Sequence, residues 1–395
     1  MSWKKKFVRN WGRLGMKCKL EDIVDVTMGQ SPKSEYYNTE GKGYPFLQGN
    51  RTFGFKYPTF DTYTTVMTKP AKAGDVIMSV RAPVGDLNIT PVDMCLGRGV
   101  CSLRMKNGNQ DFLFYMMKYY IPHLLKKESG TVFGSVNRND INGLEVNIPE
   151  DAQVQKKIAR YLEMIDDKIE LNNEINNNLL EQALTMYATQ FATLDRNGCI
   201  GDYCSVKSGF AFKSSWWTTA GVKVIKIGSI NQDNLNLLEC SYVDADKIDK
   251  AKDFKVNAGD LLIAMTGATI GKFAMVPYSS ELLLVNQRVG KFFLGNKPVE
   301  KLPFIYCTLK QPEVYGEVVN RGQGSAQPNI SASDIMSIPC VIPSQDAIND
   351  FNGTAQPLFD LIISNQRENQ QLSEVRDTLL PKLLSGELNV SDIDL

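Results

Sequence analysis

Histidine is almost missing from this 395-residue chain. The single copy, His123, cannot build a multi-histidine metal site. Its place after Pro122 in an aromatic, helix-like stretch reads as structural rather than as a triad base. Cysteine occurs at 18, 95, 101, 199, 204, 240, 307 and 340, and no two are spaced as CxxC. With one histidine to help them, a zinc site is not expected, and they read as reduced, mostly buried small hydrophobes of a cytosolic protein. No Pro-Pro pair exists, so the Asn/Asp-Pro-Pro-aromatic signature of amino-methyltransferases is absent. The stretch Gly267-Ala268-Thr269-Ile270-Gly271-Lys272-Phe273 imitates a phosphate loop. It has one residue too few between its glycines and no Ser or Thr after the lysine. Gly97-Arg98-Gly99 and Gly322-Gln323-Gly324 do not extend to GxGxxG. The chain is therefore read as non-catalytic, with no metal and no cofactor of its own.

Net charge is also lacking: 44 basic residues balance 44 acidic ones. A nucleic-acid partner would have to be held by local basic patches and not by a global field. No apolar run reaches the roughly 18–20 residues that span a bilayer. The first 20 residues carry Lys4, Lys5, Lys6, Arg9, Arg13, Lys17 and Lys19 without an acid and without an apolar core segment, which is not the pattern of a secretory signal. Two readings of this arm stand side by side, a solvated basic segment and an arm for a DNA backbone or a partner.

What the chain has is repetition. Ile169, Asn172, Asn176 and Leu179 recur as Ile362, Asn365, Asn369 and Leu372, each 193 positions later. Asp22, Val26, Gly29 and Gly41 recur as Asp202, Val206, Gly209 and Gly221 at an offset of 180. Ala73-Gly74-Asp75 matches Ala258-Gly259-Asp260 at 185, and Asp140-Ile141 matches Asp334-Ile335 at 194. The offset drifts through the strand-rich parts and is flat across the helical ones. Two globular halves of one fold with divergent loops are expected, each followed by a helix that keeps its register, and hence a pseudo-twofold molecule that touches two similar things.

Within each half, short β-branched runs such as Val76–Val80, Val222–Ile227, Leu261–Met265 and Val289–Leu294 alternate with Gly, Pro and Asn turns, and short helices are expected at Phe112–Leu125 and Pro303–Leu309. This is an α+β pattern. The divisions expected are 1–150, 151–195, 196–343 and 344–395. The second is a long helix capped by Glu150 or Asp151, with Ile158, Leu162, Ile165, Ile169, Leu179 and Met186 at heptad-like steps. The last carries Ile348, Phe351, Ala355, Leu358, Ile362, Leu372, Leu379 and Leu383, with a kink or restart expected at Pro357, a broken last turn at Pro381 and a loose acidic end. Asn172 and Asn176 fall on the stripe of the first long helix, and Asn365 and Asn369 on that of the second. A polar residue there weakens packing and fixes register. If the helices run antiparallel, the two asparagine pairs meet; the alternative is that they face water and Leu171 or Ile175 forms the seam.

Glycine-punctuated loops carry basic, amide and aromatic side chains. From Tyr203 to Gln232 there are four lysines and no acid, together with Phe210, Phe212, Trp216 and Trp217, whose rings could equally pack in a core. Lys42, Arg51 and Lys56 lie in a similar stretch of the first half. Arginine suits guanine edges and phosphates, Gln and Asn suit adenine edges, and lysine suits the backbone. The candidate DNA contacts of the first half are Gln30, Ser31, Lys33, Arg51, Arg81, Arg98, Asn137 and Arg138. Those of the second are Lys207, Lys213, Ser214, Lys226, Lys272 and Arg288, with Arg321, Gln323, Gln327 and Asn329 on what reads as a flexible turn.

At this point the chain resembles the specificity subunit of a type I restriction–modification system over nearly its whole length. The resemblance rests on Ser208-Gly209-Phe210-Ala211-Phe212-Lys213-Ser214, Val224-Ile225-Lys226-Ile227-Gly228, Thr266-Gly267-Ala268-Thr269-Ile270-Gly271-Lys272, Asn286-Gln287-Arg288, Gln327-Pro328-Asn329-Ile330 and Leu379-Leu380-Pro381-Lys382-Leu383-Leu384-Ser385-Gly386. The first half departs from the pattern, with Arg81-Ala82-Pro83-Val84-Gly85 in place of Thr-Gly-x-x-Gly and Gly134-Ser135-Val136-Asn137-Arg138 in place of Gln-Pro-Asn-Ile. The resemblance implies two target recognition domains, each reading one half of a bipartite, asymmetric double-stranded DNA target, and two long antiparallel coiled-coil helices that set the gap. It implies two modification subunits that use S-adenosylmethionine to methylate adenine N6, and two motor–nuclease subunits that use ATP and Mg²⁺. A cytoplasmic protein with no membrane partner is expected. Two other readings remain on the residues alone: a pseudo-symmetric coiled-coil scaffold without a DNA role, and a self-contained methyltransferase or nuclease.

Overall fold

The structure is a computed structural model, and it describes residues 15–126, 134–322, 328–388 and 390. The chain forms two compact units, residues 1–167 with 372–395, and residues 168–371.

In the first unit a four-stranded antiparallel sheet has the order Val24–Met28, Val100–Met105, Val76–Ser79, Leu87–Ile89. A five-stranded sheet has the order Tyr37–Asn38, Tyr63–Thr64, Tyr44–Leu47, Met94–Leu96, Pro70–Ala71, with Tyr44–Leu47 and Met94–Leu96 parallel. A ribbon pairs Gly15–Lys19 with Glu145–Pro149. The central strand Val76–Ser79 is buried on both faces, so Val76, Ile77 and Met78 follow one another without polar alternation. Val76, Met78 and Val80 pack with the helix Gln110–Lys126, while Ile77 packs with Leu47, Met94 and Leu96 on the other side. That split follows from the two-residue period of a strand.

The second unit repeats this plan and adds a two-stranded ribbon, Ile230–Asn231 with Asn234–Leu235. Its four-stranded sheet has the order Ser205–Ser208, Val289–Phe293, Leu261–Ala264, Phe273–Met275. Its five-stranded sheet has the order Trp217–Thr218, Ser241–Val243, Val222–Ile225, Leu283–Val285, Lys255–Val256, and the one parallel pair recurs between Val222–Ile225 and Leu283–Val285. Gly198–Cys199 pairs with Pro339–Cys340. Leu261 and Ile263 face one core while Leu262 and Ala264 face another. The α+β reading holds, and the short helices run Gln110–Lys126 and Leu302–Lys310. All eight cysteines are free, and six are buried. Burial pushes the Cys101, Cys204 and Cys340 thiols up to about 12, which suits inert apolar packing.

The repeated aspartates have local roles. Leu20–Ile23 is a helical turn before the strand Val24–Met28, and its Asp22 accepts the Lys19 backbone N–H at 2.9 Å. Asp202 does the same for Cys199 at 2.8 Å. Gly74 and Gly259, at φ +83 and +81, take the left-handed conformation of matching turns. Of the basic arm, Lys17 and Lys19 belong to the strand Gly15–Lys19; Lys4 to Arg13 lie outside the described residues.

The two long helices are Ala152–Phe191 and Gln345–Ser385. Asp151 caps the first, accepting the Gln153 N–H at 2.7 Å. Forty residues correspond to about 60 Å of rod. The second is one helix through both Pro357 and Pro381, so neither the expected restart nor the broken last turn occurs. Proline crowds the carbonyl four residues before it. At Pro357 the following turn is held by Phe359, Ile362 and Ile363, which are buried in the core of the second unit. At Pro381 the flanking Leu380, Leu383 and Leu384 are buried in the core of the first unit, which holds the turn in place.

Within the second unit the long helices run antiparallel. Asn172 Nδ2 donates to Asn369 Oδ1 at 2.9 Å and to Glu368 Oε2 at 2.7 Å. Asn365 Nδ2 donates to Asn176 Oδ1 at 2.9 Å, and Asn369 Nδ2 to Asn173 Oδ1 at 2.8 Å. Asn172 is 1% exposed and Leu171 is 50% exposed, so the asparagine and not the leucine forms the seam. Beyond this layer Ala183, Tyr187 and Phe191 meet Ile348, Phe351, Ala355 and Phe359. Within the first unit, Ile158, Ala159 and Leu162 share a core with Leu380, Leu383 and Leu384. There Asp166, fully buried, accepts Arg376 Nη1 at 2.7 Å and the Tyr115 hydroxyl at 2.9 Å.

Candidate nucleic-acid interface

In each unit the loops that leave the sheets on one side are tied together by backbone hydrogen bonds. In the first unit Gln30 N donates to Leu96 O, Gly97 N to Leu47 O, Gly99 N to Gln48 O, Val80 N to Gly99 O and Val136 N to Val80 O, all at 2.8–2.9 Å. Arg81 and Ser135 form a β-bridge. Five loops thus make one edge. The glycines are required by close approach: a Cβ at Gly97 would lie 2.5 Å from Gln48 Cα, and one at Gly99 would lie 2.3 Å from Gln48 O.

The second unit has four of these five bonds at the matching places. Phe210 N donates to Val285 O, Asn286 N to Ile225 O, Met265 N to Arg288 O and Ile330 N to Met265 O, and Thr266 bridges Asn329. These bonds equate Arg81 with Thr266, Gln48 with Lys226, Arg98 with Gln287, Gly99 with Arg288 and Ser135 with Asn329. The framework is shared and the side chains on it are not. The first edge carries two guanidinium groups at Arg81 and Arg98, and the second carries Lys226 and Arg288 at other places.

Arg81 and Arg98, both exposed, line a cleft of ≈ 210 Å³ with Gln48, Gly49 and Asn50. Neither arginine has an ion-pair partner among the described residues. Ser31 Oγ accepts the Arg98 N–H at 3.1 Å and shapes that loop, and Gln30 is exposed beside it. Gln287, Arg288 and Asn329 are exposed on the second edge, and the Arg288 N–H is held by Asn286 Oδ1 at 3.2 Å. Lys226 lies 3.6 Å from the centroid of the Trp217 ring, and burial holds its ammonium below the usual lysine range. The neighbouring aromatics pack: Phe210 stacks on Trp216 at 5.8 Å and Phe212 meets Trp217 at 5.5 Å, over Val224, Val243 and Leu284. Lys33 and Lys213 occupy matching positions, each preceding a one-turn helix, Ser34–Tyr36 and Ser214–Trp216, and both are exposed like Ser214 itself.

Other expected contacts are placed differently. Arg321 is not on a flexible turn. It lies in the last turn of the helix Pro312–Gly322, with Nε 3.0 Å from Glu317 Oε2 and Nη1 donating to Asp334 O at 3.1 Å and Ser337 Oγ at 2.7 Å. A guanidinium so engaged ties this helix to the segment around Asp334 and Ser337. Asn137 caps the helix Arg138–Asn142, its Oδ1 accepting the Asn139 and Asp140 N–H groups, which leaves Arg138 exposed at the helix start. Arg51 is paired with Asp61 at 2.8 Å. Lys207 lies in the strand Ser205–Ser208 with its Nζ over the Phe293 ring at 5.0 Å, and Lys272 is half-buried in the turn after Gly271. Gln323 and Gln327 lie outside the described residues. The phosphate-loop imitation is a one-turn helix, Gly267–Thr269, whose first N–H donates to Pro328 O. Gln48 and Asn50 do not stand out in the sequence: the backbone pattern shared by the halves places Gln48 on the edge and the cleft lining adds Asn50, while Gln287 belongs to the Asn286-Gln287-Arg288 motif but is not among the expected contacts.

No group of His, Cys, Asp and Glu suited to a metal occurs among the described residues, and no described helix is long and apolar enough to cross a membrane.

Comparison with known proteins agrees with the duplicated plan. The sequence profile of the type I restriction modification DNA specificity domain matches twice, at residues 15–181 and 196–374. The MjaIX specificity subunit of a type I restriction enzyme from Methanocaldococcus jannaschii is 24% identical over 416 residues, covering 95% of this chain and 94% of that protein. A putative MjaX specificity subunit from the same organism is 39% identical over 156 residues, a stretch that spans 39% of this chain and 36% of the relative. The crystal structure of a type I restriction-modification system S subunit from M. genitalium matches with a TM-score of 0.53 at 18% identity, over 94% of this chain and 96% of that one, which supports the fold.

Proposed function

The chain belongs to the type I restriction modification DNA specificity domain family, in which it carries two copies of the domain, and from that premise we propose that each copy reads one half of a bipartite, asymmetric double-stranded DNA target. The observation that carries this is the pair of loop edges with one backbone framework and different heads. A fixed framework with exchanged Arg, Lys and Gln side chains is what reading two unlike half-sites requires, because sequence is told apart by which donors and acceptors meet the base edges. Arg81 and Arg98 are the base or phosphate contacts of the first edge, with Gln30, Gln48 and Lys33 beside them. Arg288, Gln287, Asn329 and Lys226 serve the second edge, with Lys213 toward the backbone.

The long helices act as the ruler between half-sites, and the asparagine layer sets their register. Two modification subunits dock on the chain, use S-adenosylmethionine and methylate one adenine in each half-site at N6. Two motor–nuclease subunits using ATP and Mg²⁺ complete the restricting complex. This chain supplies recognition and no catalysis, and works in the cytoplasm. The scaffold reading without DNA is disfavoured by the uncompensated arginines of the first edge.

A gel shift tests the reading. The full chain, alone or with a modification subunit, should bind duplex DNA with an affinity that falls steeply as salt rises, as phosphate neutralisation demands. Absence of salt-sensitive binding in both formats would overturn it.

A further inference from the structure

In each unit one loop of the reading edge also reaches a long helix. In the first unit it is the loop after the strand Tyr44–Leu47. It begins at Gln48 and Asn50 on the edge, closes on itself through Thr59 N to Thr52 O at 2.9 Å, and is pinned by Asn88, which bonds both the N–H and the carbonyl of Gly54 at 3.0 Å. Lys56 follows. It is 2% exposed, its carbonyl accepts the Ile89 N–H at 2.8 Å, and its Nζ lies 2.8 Å from Glu163 Oε1 and 3.7 Å from Asp167 Oδ1, both on the helix Ala152–Phe191. Burial works against the Lys56 ammonium, but the hydrogen bond and charge of Glu163, with Asp167, outweigh it and hold the group protonated above the usual lysine range. A lysine this buried is kept only where it is paired.

The second unit solves the same task with different groups. The loop after Val222–Ile225 begins at Lys226 on the edge and turns at Asp233, which adopts φ 65, a conformation non-glycine residues rarely take. The Asp233 carboxylate takes both Tyr306 and Lys310. The Asp233 carbonyl accepts Gln366 Nε2 at 3.0 Å and the Leu235 carbonyl accepts Gln370 Nε2 at 3.3 Å, both glutamines being on the helix Gln345–Ser385. One clasp is a buried cation on helix carboxylates, and the other is a strained turn whose carbonyls are held by helix amides.

We propose that Lys56 with Glu163 and Asp167, and Asp233 with Gln366 and Gln370, are positioning residues that hold each base-reading edge to its long helix and thereby fix the gap between the two half-sites. The inference rests on the reading of the edges as DNA half-site readers. It separates two properties that a loop contact alone would merge. The heads at Gln48, Arg81, Arg98 and Arg288 choose bases, while the clasps choose distance. It also makes the clasps non-interchangeable, since a loop built around a lysine finds no carboxylate at Gln366 and Gln370.

The test is a selection with the full chain and its modification subunit on a duplex library carrying both half-sites at gaps that differ by single base pairs. One base pair turns the second half-site by about a tenth of a helical turn. The unaltered chain should enrich one gap by about 10-fold or more over its neighbours, the size expected for one misplaced recognition contact. Lys56→Met, and separately Gln366→Met with Gln370→Met, should flatten that preference to below about 3-fold while the half-site bases stay the same. The two glutamines are partly exposed, so the pair can be altered without a buried charge being orphaned. It therefore decides the matter if Lys56→Met does not fold. An unchanged gap preference in the folded glutamine variant overturns the inference, as does a change in the bases selected. If the unaltered chain selects no half-sites at all, the underlying reading fails first; if it selects one gap and both variants keep it, only the clasp is wrong.

Discussion

Asn172 donates its side-chain amide to the side-chain oxygen of Asn369 at 2.9 Å, across two helices that run in opposite directions. The two residues stand at different places in the repeat: Asn172 corresponds to Asn365, and Asn369 to Asn176. A first asparagine of one helix therefore meets the second of the other, and Asn365 meets Asn176 in the same way. Sliding either helix by one turn would leave buried amides without partners, so the layer penalises every register but one.

Removing one member should cost more than removing both. Asn172→Ala leaves Asn369 Oδ1 without its donor in a buried seam, and should lower stability by about 1–3 kcal/mol. Replacing Asn172 and Asn369 together by leucine should cost less than the sum of the single changes, because an apolar pair packs without orphaned groups. Thermal or denaturant unfolding of the two singles and the double measures the coupling. Additive losses would mean that the asparagines do not act as a pair.

The two edges should fail independently. Arg81→Ala or Arg98→Ala should weaken selection of the first half-site by about 1–3 kcal/mol for each bidentate pairing with a base that the arginine makes, and leave the second half-site intact. Arg288→Ala should do the reverse. Binding to half-site-scrambled duplexes provides the readout, and an equal loss on every sequence would assign the residue to phosphate. In the same assay Arg321→Ala should leave base preference unchanged and lower the melting temperature, since its donors go to Glu317, Asp334 and Ser337.

Acid should loosen the asparagine layer through Glu368. The hydrogen bond from Asn172, and then Lys168, hold its carboxyl below the usual glutamate range. A carboxylate whose pKa is lower folded than unfolded stabilises the fold above its unfolded value, about 4.3, and that contribution disappears as pH falls through the folded value. The stability difference between the native chain and Glu368→Gln should therefore be present at pH 7 and shrink toward zero in acid below about pH 4. The group is solvent-accessible, so the difference is small. A difference that grows in acid would contradict the assignment.

Much of this is legible in the sequence because it depends on repetition. The duplicated halves, the α+β class, the long helices and the meeting of the asparagines follow from offsets and periodicity, which a chain displays directly. The continuity through Pro357 and Pro381 is not legible, because it depends on tertiary packing around Phe359 and Ile362 and around Leu380 and Leu383. Arg321 reads as part of a loop because Gly322 and Gly324 follow it, yet its partners Asp334 and Ser337 lie beyond those glycines in sequence. Lys56 reads as one more loop cation, since nothing local distinguishes it from Lys42. Its carboxylates are Glu163 and Asp167, more than a hundred residues away. The reading edge is half legible: Arg81, Arg98 and Arg288 stand out by type, while Gln48 emerges only when the loops are matched by their backbone bonds.

Two unlike edges that read two unlike half-sites at one fixed distance must leave a bipartite methylation pattern. Single-molecule mapping of methylated adenines in the host genome, with the gene present and deleted, tests it most directly. A gene-dependent motif of two different short sequences separated by a gap of constant length is expected, with one methylated adenine in each half. A gene-dependent motif that is continuous or palindromic, or one with a variable gap, would contradict it.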